Sequence, residues 1–337
     1  MRTLSLFLFY LWLAIDVASA QSPRFIVDDD AYVAKVTAAA LKLREAGKLL
    51  PQHSLQGQVH RKSHPLKLSP VSRRKLEPPE LFERLKESTL AVGTLYKCPD
   101  CGEWHFNSSA GFVAEQGGVI CTCCHVVLGE DPETKDGYLI AADAEGHVFP
   151  IRSVLAADTE SDTCLLRIDA AGLKPLPLRP GVRTGERVYC LSHPGGYYFM
   201  FTQGMVARVN QRPNELPDPA GGTNSVLTRP ILFLNVTAEF APGSSGAPIV
   251  DEAGNVVGQV ASIADAGQPD PAVDHSSSSP SVPVRFCTAS EEILQLAVPV
   301  EKTGPIPAAL NEIPAKSSPH SHVSGGPQSP TPPPSHR

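Results

Sequence analysis

A chain of 337 residues, 42% of them hydrophobic, has room for one large or two small cores. Its formal net charge of -6 argues against the basic footprint of a nucleic-acid binder. With 33 prolines, 26 glycines and 6% aromatic residues, the composition favours many short strands and turns over a helical bundle.

Arg2, an apolar run over residues 4–15 and the small-residue site Ala18-Ser19-Ala20 have the form of an export signal, cleaved before Gln21. The run is short for a membrane span, and a retained anchor is the second reading. No later stretch is long enough to cross a bilayer. The expectation is therefore a secreted or periplasmic chain with no stable membrane insertion after cleavage.

Asp28-Asp29-Asp30 is an acidic helix start, and Val33, Val36, Ala40 and Leu43 follow at helical spacing until Gly47. Residues 50–75 are polar and basic, with Arg61, Lys62, Lys67, Arg73, Arg74 and Lys75 and no apolar period. They read as a solvated linker, with a surface for an acidic partner as the alternative. Pro78-Pro79 punctuates the chain before a short helix over 80–87.

From Thr89 onward, apolar runs alternate with Gly, Asn, Asp and Pro. Strands are predicted at 90–96, 104–106, 111–114, 119–127, 138–142, 149–155 and 163–168. After a Pro/Gly-rich crossing at 175–184, a second set is predicted at 187–191, 198–209, 231–237, 247–250, 256–263 and 282–287. Two successive groups of about six strands suggest paired barrels or sandwiches. Thr288-Ala289-Ser290-Glu291 has the capping-box form and opens a last short helix through Leu296. Beyond Val300 the composition is Pro, Ser, His and Gly; this tail and the 267–280 insertion are expected to be disordered.

Three polar residues at the edges of apolar strands carry candidate chemistry. Ser245 lies in Gly243-Ser244-Ser245-Gly246-Ala247-Pro248, a tight turn entering a strand. A serine hydroxyl is a poor nucleophile unless a base, an orienting group and backbone N–H donors converge on it, and Gly243 and Gly246 free the backbone to aim such donors. Taken alone, the same turn also reads as an ordinary surface turn. His125 follows an apolar strand and precedes two valines, and Asp162 abuts the run 163–168. Each also has a plain structural reading, as a satisfied half-buried histidine and as a loop-ending aspartate.

Together, in the order His, Asp, Ser, these residues give the chain a resemblance to the trypsin-like (chymotrypsin-fold) serine peptidases, most of all to the HtrA/DegP branch. Thr122 to Val126 matches the family's Thr-x-x-His-Val box, Asp162 to Leu166 its aspartate box, and Gly243 to Pro248 its Gly-x-Ser-Gly-x-Pro box, with Ala247 in place of the usual second glycine. The likeness covers roughly residues 80–297. It implies an all-β fold of two six-stranded antiparallel β-barrels, with an N-terminal helical extension and a short C-terminal helix. The corresponding organisation is a signal peptide at 1–20, helix and basic linker at 21–79, peptidase domain at 80–297 and tail at 298–337.

The resemblance implies that His125 is the general base, Asp162 the orienting carboxylate and Ser245 the nucleophile of an acyl-enzyme reaction on protein or peptide substrates. Gly243 and Ser245 would supply the oxyanion hole, and Ala261, Ser262 and Ile263 the strand edge that pairs with substrate. Glu239 stands where the wider family often sets the base of the specificity pocket, which would favour Lys or Arg in the substrate. Ser244 replaces the aspartate that zymogen-type members use, so no activation by a cut N-terminus is expected. About 40 tail residues are too few for the PDZ modules of HtrA proteins.

The eight cysteines are Cys98, Cys101, Cys121, Cys123, Cys124, Cys164, Cys190 and Cys287. Cys98-Pro99-Asp100-Cys101 has the look of a zinc knuckle with His105 close behind, but export favours a disulfide there over a structural zinc. Cys123–Cys164 and Cys190–Cys287 are conceivable bridges, while a role as small core residues is the other reading. No cofactor is expected, and nothing in the sequence fixes an oligomeric state. Two other functions stay open: a catalytically inactive peptidase-fold binding module, and a metal-stabilised interaction protein. Sequons stand at Asn107 and Asn235.

Overall fold

The computed structural model describes residues 24–129, 137–170, 172–217, 225–266 and 282–297. The export signal, the 267–280 insertion and the tail lie outside them. Of the two architectures that the strand grouping allowed, the chain forms barrels: two closed six-stranded sheets in which every neighbour pair is antiparallel.

The first barrel comprises β1 (Thr89–Lys97), β2 (Trp104–Glu115), β3 (Val119–Thr122), β4 (Tyr138–Ala142), β5 (Val148–Asp158) and β6 (Thr163–Ile168). Their spatial order is β1-β2-β3-β6-β5-β4, with β4 returning to β1. The second comprises β7 (Arg187–Ser192), β8 (Met200–Pro217), β9 (Ser225–Val236), β10 (Pro248–Val250), β11 (Val256–Ala266) and β12 (Val282–Ala289), in the order β10-β11-β12-β9-β8-β7, closed by β10 on β7. Closure removes the open sheet edges that would otherwise invite aggregation. Side chains from alternate strand positions fill each barrel: Leu90, Val92, Ile120, Leu139 and Leu166 in the first, and Val188, Val206, Leu234, Ile249 and Val257 in the second.

The N-terminal helix α1 (Asp29–Glu45) forms as its sequence dictates. The Asp28 side chain caps it by accepting from Ala31 N at 3.0 Å, Asp29 and Asp30 occupy the positive first turn, and Gly47 at φ +66° follows its end. Tyr32, Val36 and Ala40 are its buried face, in one cluster with first-barrel residues such as Phe106 and Phe112.

Residues 50–75 do not behave as a solvated linker. A short helix α2 (Gln52–Gln56) buries Leu55, and Gln52 bonds Thr94 and the carbonyl of Val127. Further on, Ala157 N–H donates to Arg61 O, His64 N–H to Leu296 O, Ser72 N–H to Asn255 Oδ1 and Leu76 N–H to Glu252 O. Such backbone bonding needs no apolar period and so leaves no mark in the hydropathy pattern. The next helix, α3 (Pro78–Lys86), begins on the prolines themselves, whose missing N–H costs nothing in a first turn.

Several local expectations differ. The strands expected at 104–106 and 111–114 are one continuous strand, β2, and the strand expected to end at 209 runs on to Pro217 as β8. The predicted strand 119–127 ends at Thr122, and Cys124–Leu128 form a one-turn helix, α4. The capping box at Thr288 does not form: Thr288 stays in β12 and its hydroxyl donates to Ser161 O at 2.9 Å, so the last helix, α5 (Ser290–Leu296), starts without a side-chain cap. The Asn235 sequon is buried, its amide bonded to Arg285 O, whereas Asn107 is exposed on β2.

Candidate active site

His125 is positioned by Asp162 before any ring contact is made. The start of α4 has no local side-chain cap. Instead, the loop before β6 supplies one: Cys124 N–H donates to Asp162 O at 3.3 Å, and His125 N–H donates to Asp162 Oδ1 at 2.9 Å. The other carboxylate oxygen, Oδ2, accepts from His125 Nδ1 at 2.6 Å. One carboxylate therefore fixes both the backbone and the ring of the histidine. Asp162 pays for this with a left-handed backbone at φ +54°, a conformation that aspartate tolerates better than most residues.

The second barrel holds that aspartate in place. Gln259, buried in β11, donates to Asp162 O and to Thr163 Oγ1, both at 3.1 Å, and accepts from the Cys121 thiol. Sequence reasoning missed Gln259, although an amide inside the apolar run 256–263 was a legible signal.

Ser245 sits in the turn that leads into β10, and this turn is sewn to the first barrel. Ala110 N–H donates to Ser245 O at 2.9 Å, and Gly246 N–H donates to Val260 O at 2.8 Å. Gly246, at φ +84°, lies so close to Thr122 that a Cβ there would stand 2.5 Å from Thr122 Oγ1 and 2.4 Å from Ala110 O. Ser245 is thereby set against the strand whose end leads to His125. Gly243, at φ +93°, is pressed in the same way against His193 O. Among the described residues, neither Gly243 N–H nor Ser245 N–H donates to a protein carbonyl, so both stay available to a ligand. The neighbouring Ser244 is fully buried, and its hydroxyl donates to Ser192 Oγ at 3.1 Å.

His193 supports this turn from behind. Its Nδ1 accepts from Phe199 N–H at 3.1 Å, which puts the proton of the neutral ring on Nε2. Burial pushes its imidazole down to about 4, from 6.5. The unfolded chain therefore takes up a proton between pH 6.5 and 4 that the folded one refuses, so stability falls as the pH drops through that window. The expected loss from this group is on the order of 3 kcal/mol, measured by urea unfolding from pH 7 to pH 4, and His193→Gln should flatten that slope.

A cavity of about 220 Å³ opens beside Ser245, lined by Phe240, Ala241, Pro242, Val260, Ala261, Ser262 and Ile263. All three residues expected on the substrate edge are in its wall. Ser262 and Ile263 pair with Phe286 and Arg285 of β12, while Ala261 sits at a register shift. Glu239 is not in that wall. Its side chain is 78% exposed, with Arg285 Nη2 at 3.7 Å, so the structure does not bring it into the pocket.

No cysteine is disulfide-bonded. The bridges considered between Cys123 and Cys164 and between Cys190 and Cys287 are absent. Cys123 donates to Val260 O at 3.1 Å, while Cys190 and Cys287 pack as small apolar groups inside the second barrel. Burial pushes the thiols of Cys121, Cys123, Cys164, Cys190 and Cys287 up, which keeps them inert. The bridge favoured at Cys98 and Cys101 is absent as well.

Two closed antiparallel barrels, the first carrying a bonded histidine–aspartate couple and the second a glycine-flanked serine turn, are the architecture of a trypsin-like peptidase domain. Residues 109–258 match the family described as "Trypsin-like peptidase domain". The chain is 30% identical over 154 residues to "Serine protease HTRA2, mitochondrial" of Drosophila pseudoobscura pseudoobscura, covering 45% of this chain and 33% of that protein. It is 30% identical over 156 residues to "Protease Do-like 1, chloroplastic" of Arabidopsis thaliana, covering 45% and 32%. A "Probable periplasmic serine endoprotease DegP-like" of Halomonas elongata is 27% identical over 155 residues, covering 44% and 28%. The chain thus spans about a third of the length of these relatives. Over residues 109–258 the chain is similar to the trypsin-like peptidase domains, and these relatives are proteases of the HtrA/DegP kind.

Proposed function

We propose that the chain is a serine endopeptidase that cleaves protein or peptide substrates through an acyl-enzyme on Ser245. The observation that carries this reading is the double hold of Asp162 on His125, by Oδ1 on the backbone and Oδ2 on the ring. It fixes the tautomer with the proton on Nδ1 and leaves Nε2 to take the proton of the serine. As the hydroxyl attacks the scissile carbonyl, His125 becomes an imidazolium stabilised by the carboxylate, and later returns the proton to the leaving amine. The unspent N–H groups of Gly243 and Ser245 receive the oxyanion, where each donor is worth about 3–4 kcal/mol.

Substrate would lie along β11. Val260 is the last β11 residue to bond the serine turn, with its N–H on Ala247 O, so the edge at 261–263 has no strand beside it on that side among the described residues. The residue before the scissile bond would enter the apolar cavity. Its walls suit aliphatic side chains, and no carboxylate answers Lys or Arg. Quenched peptides with Ala, Val or Leu at that position should be cut at least about tenfold faster than those with Lys or Arg. Glu239→Gln should leave the ratio unchanged, and Ser245→Ala should abolish cleavage of all of them. Preferred cleavage after Lys, lost in Glu239→Gln, would restore the cationic specificity that the sequence position suggested.

The signal at residues 1–20 gives a chain exported and cut before Gln21; N-terminal sequencing of the mature protein tests it. With Ser244 bonded to Ser192, no cut N-terminus is needed to order the serine turn.

A further inference from the structure

The tip of the β1–β2 hairpin carries donors that the peptidase chemistry does not use. The two strands pair without a break from Thr89 opposite Phe112 to Lys97 opposite Trp104. Residues 98–103 then close the end in a tight curl: Cys98 N–H donates to Glu103 O at 2.9 Å and Gly102 N–H to Cys98 O at 3.0 Å. Gly102 holds φ +73°, which allows the chain to turn directly after Cys101. His105 follows on β2, opposite Tyr96. The ligand atoms of Cys98, Cys101 and His105 all lie within 4.8 Å of one another, and Cys101 Sγ stands 3.1 Å from His105 Nε2.

Packing does not explain this trio. The other six cysteines are buried, whereas Cys98 is half-exposed and Cys101 exposed. Nor do the two thiols form a bond with each other. A shared metal does fit. An ion held at about 2.3 Å from sulfur and about 2.0–2.1 Å from nitrogen in tetrahedral geometry sets its donors roughly 3.5–3.8 Å apart, within the span that this cluster occupies.

Among the described residues, the other two groupings of ligating residues are already spent. In one, His125 and Asp162 bond each other and Cys123 bonds Val260 O. In the other, the Asp143 carboxylate is consumed by Glu145 N–H, His147 N–H and His147 Nδ1 within its own turn.

We propose that Cys98, Cys101 and His105 form a binding site for one zinc-class divalent cation, a staple across the hairpin tip. On binding, both thiols release their protons to solvent and ligate as thiolates, and the neutral imidazole ligates through Nε2. The fourth position faces solvent and takes a water.

The test uses the full mature chain, purified under reducing conditions, with elemental analysis after Zn²⁺ loading and titration with Co²⁺. We expect one ion per chain and a thiolate-to-cobalt charge-transfer absorption, both lost in Cys98→Ser/Cys101→Ser while the far-UV circular dichroism is unchanged. His105→Ala, which keeps both thiols, should weaken Co²⁺ binding at least about tenfold. Hydrogen exchange at residues 98–103 should slow when Zn²⁺ is added. The proposal is overturned if the reduced chain takes up no ion, if the ion persists in the double variant, if His105→Ala binds as tightly as the native chain, or if Cys98 and Cys101 oxidise to a disulfide in the presence of excess Zn²⁺.

Discussion

Asp162→Asn is expected to lower kcat by about 10⁴-fold while leaving the fold and KM close to native. The reason lies in the two bonds that the carboxylate makes. Oδ1 accepts from the His125 backbone N–H, and Oδ2 accepts from Nδ1 at 2.6 Å. An asparagine can keep the first bond only by placing its carbonyl oxygen there, which turns its NH₂ toward the ring. The ring must then accept at Nδ1 and carry its proton on Nε2, so it cannot deprotonate Ser245. Steady-state hydrolysis of an aliphatic-site peptide gives the ratio. A kcat within tenfold of native would show that the carboxylate has no part in setting the tautomer.

Gly246→Ala is expected to reduce turnover at least about hundredfold and to destabilise the chain by about 2–5 kcal/mol. At φ +84° an alanine is strained, and its Cβ would stand 2.4 Å from Ala110 O and 3.0 Å from Thr122 Cα. These are backbone atoms of the first barrel, so the serine turn must move away from them, and Ser245 moves with it. Gly181→Ala is the control: its φ is +76°, yet nothing lies within 4 Å of the new Cβ. It should cost only the left-handed penalty of about 1–2 kcal/mol and leave activity intact. Urea midpoints and kcat for both variants separate crowding from backbone strain.

What could be read from the sequence was whatever depended on local spacing. The acidic cap and Gly47 bound α1 as read, and the apolar runs gave the strands of both barrels. What escaped was decided by partners distant in the chain. The apolar run through His125 reads as strand, but Asp162 caps a helical turn there from 37 residues away. Thr288 has the local pattern of a cap but is claimed by Ser161. Residues 50–75 show no apolar period because they are held mainly through backbone groups and polar side chains, which leave no hydropathy signal.

At the site, His125 and Asp162 stand at the edges of apolar runs and were legible as a pair through the resemblance of their boxes to those of the trypsin-like family. Gln259 visibly interrupts the apolar run 256–263 and His193 follows the run 187–191, but the bonds that give each its role show only in the fold. Glu239 shows the limit of positional likeness: counting back from Ser245 sets it near the pocket, but its carboxylate turns outward toward Arg285. For the cysteines, export made bridges a fair expectation, but the barrel interiors use most of the thiols as small apolar groups, the other reading that the sequence allowed.

If the His125–Asp162 couple activates Ser245 in the folded chain, a fluorophosphonate probe should label that serine covalently. Labelling of the native mature chain should be stoichiometric, with the adduct mapped by mass spectrometry to Ser245, absent in Ser245→Ala and strongly reduced in His125→Ala. A folded native chain that never labels, or one that labels equally well without His125, would contradict it.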